Sequence, residues 1–230
     1  MINKLYIVAT PIGNLGDFTL RAVDILKSVD VIFCEDTRVT RKLLNHYDIH
    51  NKIDSYHQHS DNRKVNQIID LLKQGKNIAY VSDAGTPGIS DPIGKLVEAI
   101  TEEFPNDNLI ESIPGASALT VALSLSGFNA DNFLFLGFLP HKKGKETLLK
   151  EVIESKRTIA FFESTHRIIK SLEKLNSLGF QKDRKVVVCR ELTKKFESIY
   201  RGNLEKVIND LKNDVTKGEF VVVVEKNKGR

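Results

Sequence analysis

The sequence of 230 residues predicts an α/β fold. Three observations predict it. Short, β-branched apolar runs alternate with helix-like segments along the whole chain. The runs are continuous rather than alternating in polarity, as in strands covered on both faces. The helical segments open on recognisable start signals.

The first strand is "KLYIVA" at 4–9, followed by a helix near 20–28. "DVIFCE" at 30–35 leads to a helix near 37–47, and "KIDSY" at 52–56 to one near 61–74. "NIAYVS" at 77–82 precedes a helix near 92–104, where Asp91 is the expected N-cap and Pro92 the first helical residue. "NLIESI" at 108–113 runs into "SIPGASA", a natural hinge after which the pattern restarts. The expected domains are therefore 1–114 and 115–230. The second opens with a helix near 116–126, then "NFLFLGF", a helix near 145–155, "RTIAFFE" and a helix near 165–178. "KVVVCRE", a helix near 203–217 capped by Asn203, and "FVVVVE" complete it. About nine strands are more than one small sheet usually holds, which also argues for two domains.

With 41% hydrophobic residues, the chain has enough core to fold without staples. No run approaches the roughly 18 apolar residues of a membrane span. The start, "MINKLYIVAT", lacks a long apolar signal core and a small-residue cleavage site, so a mature, cytoplasmic protein is expected. Cys34 and Cys189 each end an apolar run, which marks buried strand residues of a reducing compartment. Without CxxC or HExxH spacing, no metal site is expected. His57 and His59 in "YHQHS" lack a third ligand and are expected to be surface or RNA-facing groups. Charge is uneven. Residues 1–140 carry 12 Lys and Arg against 17 Asp and Glu; residues 141–230 carry 22 against 13. A basic second half suits either a polyanionic partner such as nucleic acid or a solvated lysine-rich surface.

Three strand exits are rich in turn residues. Thr10, Pro11, Ile12 and Gly13 leave the first strand; Asp83, Gly85, Pro87 and Gly88 leave the fourth; Pro114, Gly115, Ser117 and Ala118 follow the fifth. Ligands of open α/β sheets sit beyond the carboxyl ends of strands, so the three loops together make a candidate ligand site. GxGxxG is absent, which argues against a standard dinucleotide loop. In the second half, Glu163, His166 and Arg167 leave one strand, and Arg190, Glu191, Lys194 and Lys195 another. Mixed acids and bases there suit a salt-bridge network or a polar active site.

Seven ordered motifs, "TPIGNLGD", "CEDTR", "SDAGTPGISDP", "PGASA", "FLFLGFLP", "ESTHR" and "RELTKKFES", resemble the tetrapyrrole methylase superfamily. Within it they are most similar to the bacterial ribosomal RNA small subunit methyltransferase I group. The resemblance runs from about residue 4 to 225. It implies two α/β domains with a cofactor cleft between them, holding S-adenosylmethionine. It implies 2′-O-methylation of a decoding-centre cytidine in 16S ribosomal RNA of the small ribosomal subunit, by a homodimer. Carried over by position, it implies cofactor contacts from Thr10, Pro11, Ile12, Gly13, Asp83, Ala84, Gly85, Thr86, Ile89, Ser117, Ala118 and Phe162. Two departures accompany it. Thr165 stands where the family usually has proline, which is expected to alter turn stiffness more than chemistry. Close relatives also tend to carry a further small helical domain, so weaker RNA affinity is expected of a chain that stops at Arg230.

Ribose methylation calls for alignment of oxygen and methyl donor and for help in removing a proton. The catalytic candidates are Glu163 or Asp36 as base, with Arg38, Arg167, Arg190 and Lys194 orienting phosphate or favouring the ionised hydroxyl. A structural ion pair is the competing role for Glu163 and Arg167. Two other functions compete: methylation of a porphyrin-like macrocycle on the same fold, and a non-catalytic RNA-binding assembly factor with a vestigial cofactor cleft.

Overall fold

A computed structural model describes residues 3–215 and 217–229. The chain divides into two compact units, Met1–Ser117 and Ala118–Arg230.

The first unit alternates strand and helix in chain order. It comprises β1 (Leu5–Val8), α1 (Leu20–Ser28), β2 (Val31–Cys34), α2 (Thr37–His46), β3 (Lys52–Ser55), α3 (Asn62–Lys73), β4 (Ile78–Val81), α4 (Ile93–Glu103) and β5 (Ile110–Ile113). Its sheet has the order β3-β2-β4-β1-β5, and every neighbouring pair is parallel. The register aligns Val8 with Val81 and Ile113, and Cys34 with Val81. The strands therefore end level, and their exit loops crowd one edge. β2 and β4 are buried along their whole length, as continuous apolar runs predict. Alternate residues feed two cores. Phe33, Ile78 and Tyr80 pack with Ile68, Leu72, Leu96 and Ile100 of α3 and α4. Ile32, Cys34, Ala79 and Val81 pack with Ala22, Leu26 and Leu44 of α1 and α2.

The second unit comprises α5 (Ala118–Ser126), β6 (Phe133–Phe138), α6 (Lys145–Glu154), β7 (Thr158–Ser164), α7 (Ile168–Ser177), β8 (Lys185–Arg190), β9 (Ser198–Asn203), α8 (Leu204–Lys212) and β10 (Glu219–Val224). Its sheet order is β6-β7-β10-β8-β9. β6 and β7 are parallel; the other neighbouring pairs are antiparallel. One core joins Ile159, Phe161, Val186, Val188, Val222 and Val224 to Leu149, Leu172 and Leu211 of the three helices α6, α7 and α8.

Two details differ from the sequence expectation. Strand β9 was not foreseen. Pro92 sits just outside α4 as its cap rather than at the first helical position. Asp91 still serves that end, because its Oδ1 accepts from the Ile93 N–H (3.2 Å) and its Oδ2 from the Gly88 N–H (2.6 Å). Asn203 caps α8 as expected, accepting from the Lys206 N–H.

Candidate active site

The exit loops of β1, β4 and β5 are stitched together. Thr10 N–H donates to the Gly85 carbonyl (2.9 Å) and Gly85 N–H to the Thr10 carbonyl (3.1 Å). The Thr10 hydroxyl donates to the Ser82 carbonyl, and the Ser82 hydroxyl to the Gly85 carbonyl. Thr86 Oγ1 donates to the Ala116 carbonyl (3.0 Å), and Ala9 N–H to that of Ile113 (3.0 Å). Glycine is required where these loops touch. Gly85 has φ +87°, and a Cβ there would lie 3.2 Å from the Ile12 methyl. A Cβ on Gly115 would lie 2.9 Å from that of Ala9. Within this frame Thr10, Pro11 and Ile12 are buried, while Gly13, Asp83, Ala84 and Ile89 face solvent. Thr86, Ser117 and Ala118 are half-buried.

The β2 exit joins the same edge through a reciprocal pair of acids. Asp83 N–H donates to Glu35 Oε1 (3.3 Å), and Asp36 N–H donates to Asp83 Oδ1 (3.1 Å). Burial pushes both the Glu35 and Asp83 carboxyls above their ordinary values. Asp36 behaves oppositely. It caps α2 and is gripped by the Arg38 guanidinium through both oxygens, at 2.6–3.2 Å. That hydrogen bonding lowers its pKa to about 2. Beneath the acids, the Tyr80 hydroxyl is fully buried with no hydrogen-bond partner. Burial, reinforced by Glu35 and Asp91, keeps it firmly protonated. The sequence reading missed Glu35 and Tyr80. Glu35 adjoins Asp36 in "CEDTR", so its signal was one residue away; Tyr80 reads as an ordinary strand residue.

In the second unit, Glu163 ends a buried network. It is 1% exposed. Its Oε1 pairs with Arg167 (2.6 Å) and accepts from the Ser164 N–H (2.9 Å); its Oε2 accepts from the Ser171 hydroxyl (2.7 Å). Lys145 reaches Ser171 at 2.8 Å and Glu163 at 3.9 Å, its pKa lowered by burial. Arg167 also donates to the Leu139 carbonyl (2.8 Å). Lys145 and Ser171 escaped the sequence reading because each lies on a helix outside the "ESTHR" motif it serves, Ser171 one helical turn beyond Arg167 and Lys145 on the preceding helix. The Lys194 ammonium bridges Glu191 (2.9 Å) and Glu219 (2.8 Å). Burial alone would lower its pKa, but the two acids raise it. Arg190 is buried, donating to the Lys217 carbonyl (2.9 Å). Phe162 is half-buried, its ring centroid 4.9 Å from that of Phe135 and 5.3 Å from that of Phe138.

Cys34 and Cys189 are buried and unpaired, as their strand positions predicted. Among the described residues, no group of His, Cys, Asp and Glu is arranged to hold a metal ion. Nor is any helix among them long and apolar enough to cross a membrane. His57 and His59 lie in an exposed turn.

The carboxyl edge of the first sheet offers acceptors for hydroxyl and amino groups beside exposed apolar surface. It offers open backbone at Gly13, Ala84 and Gly115, a half-buried carboxylate at Glu35, an exposed one at Asp83, and an exposed Ile89. Residues 4–208 match the family of tetrapyrrole (corrin/porphyrin) methylases. A Halalkalibacterium halodurans protein named ribosomal RNA small subunit methyltransferase I is 46% identical over 224 residues, 97% of this chain and 76% of that protein. A Thermotoga maritima protein of the same name is 42% identical over 223 residues, 97% of this chain and 98% of its own length. Among solved structures, the cobalamin biosynthetic enzyme cobalt precorrin-4 methyltransferase, CbiF, shares the fold. It has a TM-score of 0.67 at 19% identity, covering 96% of this chain and 94% of that one.

Proposed function

The chain belongs to the tetrapyrrole methylase family and, within it, to the ribosomal RNA small subunit methyltransferase I family; from that premise we propose that it methylates the ribose 2′-oxygen of a decoding-centre cytidine in 16S ribosomal RNA, using S-adenosylmethionine. The observation that carries this reading is the near-full-length identity of 42–46% to proteins of that name. The basic second half supports an RNA substrate over a macrocycle. The reading includes a cytoplasmic homodimer acting on the small ribosomal subunit.

When bound, S-adenosylmethionine supplies a methyl group on a sulfonium centre. The proposed contacts to it are Thr10, Pro11, Ile12, Gly13, Asp83, Ala84, Gly85, Thr86, Ile89, Ser117, Ala118 and Phe162. The stitched loops hold their backbone groups in place before any ligand arrives, so little ordering remains to be done on binding. Glu35 and Asp83 are further partners for hydroxyl and ammonium groups. Glu163 and Asp36 are the candidate proton acceptors, with Arg167 and Lys194 as catalytic cations. Both carboxylates are already engaged, Asp36 by Arg38 and Glu163 by Arg167 and Ser171. A pKa of about 2 also makes Asp36 a weak base at neutral pH. Orientation of the ribose is therefore expected to supply more of the rate than proton abstraction.

The test is transfer of labelled methyl to undermethylated small subunits, with naked ribosomal RNA alongside. Label recovered as a ribose methyl supports the proposal; cofactor binding with no label on either substrate refutes it. In the same assay Glu163→Gln and Asp36→Asn are each expected to slow turnover by about ten- to a hundredfold, toward the low end for general-base removal. Near wild-type turnover in both would remove these carboxylates from the chemistry.

A further inference from the structure

We propose that the carboxyl edge of the second sheet binds an unpaired strand of RNA through two aromatic platforms, Phe138 and Phe196, each flanked by exposed lysines. The proposal rests on the RNA-substrate reading and goes beyond it, naming the surface and the state in which the RNA is held.

The topology brings the two rings to one edge. β8 runs antiparallel to β10, which runs antiparallel to β7, so β6, β7 and β8 all point the same way. Phe138 is the last residue of β6, and Phe196 lies in the loop leaving β8. Three inter-strand steps of about 4.8 Å separate β6 from β8, roughly 14 Å in all. Both rings are open to solvent, Phe138 at 57% and Phe196 at 65%. Rings so exposed are free to stack against a planar partner.

Charge selects the partner. Lys142 and Lys143 follow Phe138 in the exposed "HKKG" loop. Lys195 precedes Phe196 and lies 5.7 Å from its ring centroid. None of these three lysines pairs with a carboxylate among the described residues. Most acids of this edge face cations of their own: Glu191 and Glu219 share Lys194, Glu163 pairs with Arg167, and Asp214 lies 3.9 Å from Arg190, while Glu197 accepts from the Thr193 N–H (2.6 Å). Aromatic faces beside uncompensated lysines suit bases and phosphates together. The bases must be unpaired, because an A-form duplex hides their faces. Phe138 also leans on Phe162, so a base stacked on it would lie beside a proposed cofactor contact.

The experiment measures binding of the full chain to a labelled, unstructured RNA of about 12 nucleotides, and to the same strand in a duplex. Phe138→Ala and Phe196→Ala are each expected to weaken single-strand binding about tenfold, with Phe138→Trp and Phe196→Trp restoring it. Replacing Lys142, Lys143 and Lys195 by alanine is expected to make binding less sensitive to salt. Melting temperature and S-adenosylmethionine affinity are measured on every sample. If Phe138→Ala perturbs either, Phe196→Ala and the tryptophan variants decide. Unchanged affinity in both alanine variants overturns the proposal. So does a change in sedimentation mass with RNA affinity intact, which would make the rings a protein–protein contact. Loss of methyl transfer in the wild type with single-strand binding intact refutes the function reading alone.

Discussion

Thr165 grips Gly218 with a single hydroxyl, donating to its carbonyl (2.6 Å) and accepting from its N–H (2.7 Å). A proline at this place could make neither bond. The residue therefore does more than tune a turn. It fixes the start of β10 against the exit of β7. Thr165→Val is expected to cost about 1–3 kcal/mol, because the Gly218 groups lose a partner; urea unfolding measures it. Glu35 makes a different prediction. Burial raises its carboxyl above the ordinary value, so the charged form is the one the fold penalises. A raised acid favours the fold while protonated, and that contribution is lost as pH rises through its folded pKa. Glu35→Gln is thus expected to unfold later than wild type at pH 7. The gap should close toward about pH 4, near the unfolded value. A constant gap across that range would contradict this.

At the scale of elements, the sequence patterns located nearly everything that runs through a core. Each of the nine apolar runs became a strand, and the helices began within about three residues of their expected starts. β9 escaped because "SIYRGN" carries little apolar pattern; it is an edge strand, and turns rather than an Asn-Gly dipeptide lead into it. Strand direction in the second sheet was also illegible. Apolar runs look the same in parallel and antiparallel settings, and β10, last in the chain, inserts between β7 and β8. The site loops were legible from their glycines and prolines, whereas the bonds that stitch them were not. Those bonds join residues such as Thr10 and Gly85, 75 positions apart. Gly85→Ala places a side chain in the left-handed region, at about 1–2 kcal/mol, and against Ile12. S-adenosylmethionine affinity, read by titration calorimetry, is expected to fall about tenfold or more, with a lower melting temperature.

At the scale of the whole molecule, charge divides where the fold divides. Unit Met1–Ser117 carries 12 basic against 16 acidic residues, and unit Ala118–Arg230 carries 22 against 14. Each has its own hydrophobic core. Produced as separate polypeptides, the two are each expected to melt cooperatively. Only the second should bind short RNA, with affinity falling steeply as salt rises. Equal binding by both, or a flat salt response, would count against a division of labour by charge.

The two cysteines have a practical consequence. Both thiols are sealed inside strands, and burial lifts Cys189 to about 11 and Cys34 above its ordinary value. Thiolate, not thiol, attacks alkylating reagents, so at neutral pH the native protein is expected to be silent to maleimide dyes. A single cysteine introduced on an exposed loop of either unit would then take up label alone. Pairs of such sites would turn the natural sequence, with no cysteine removed, into a fluorescence ruler for movement during turnover.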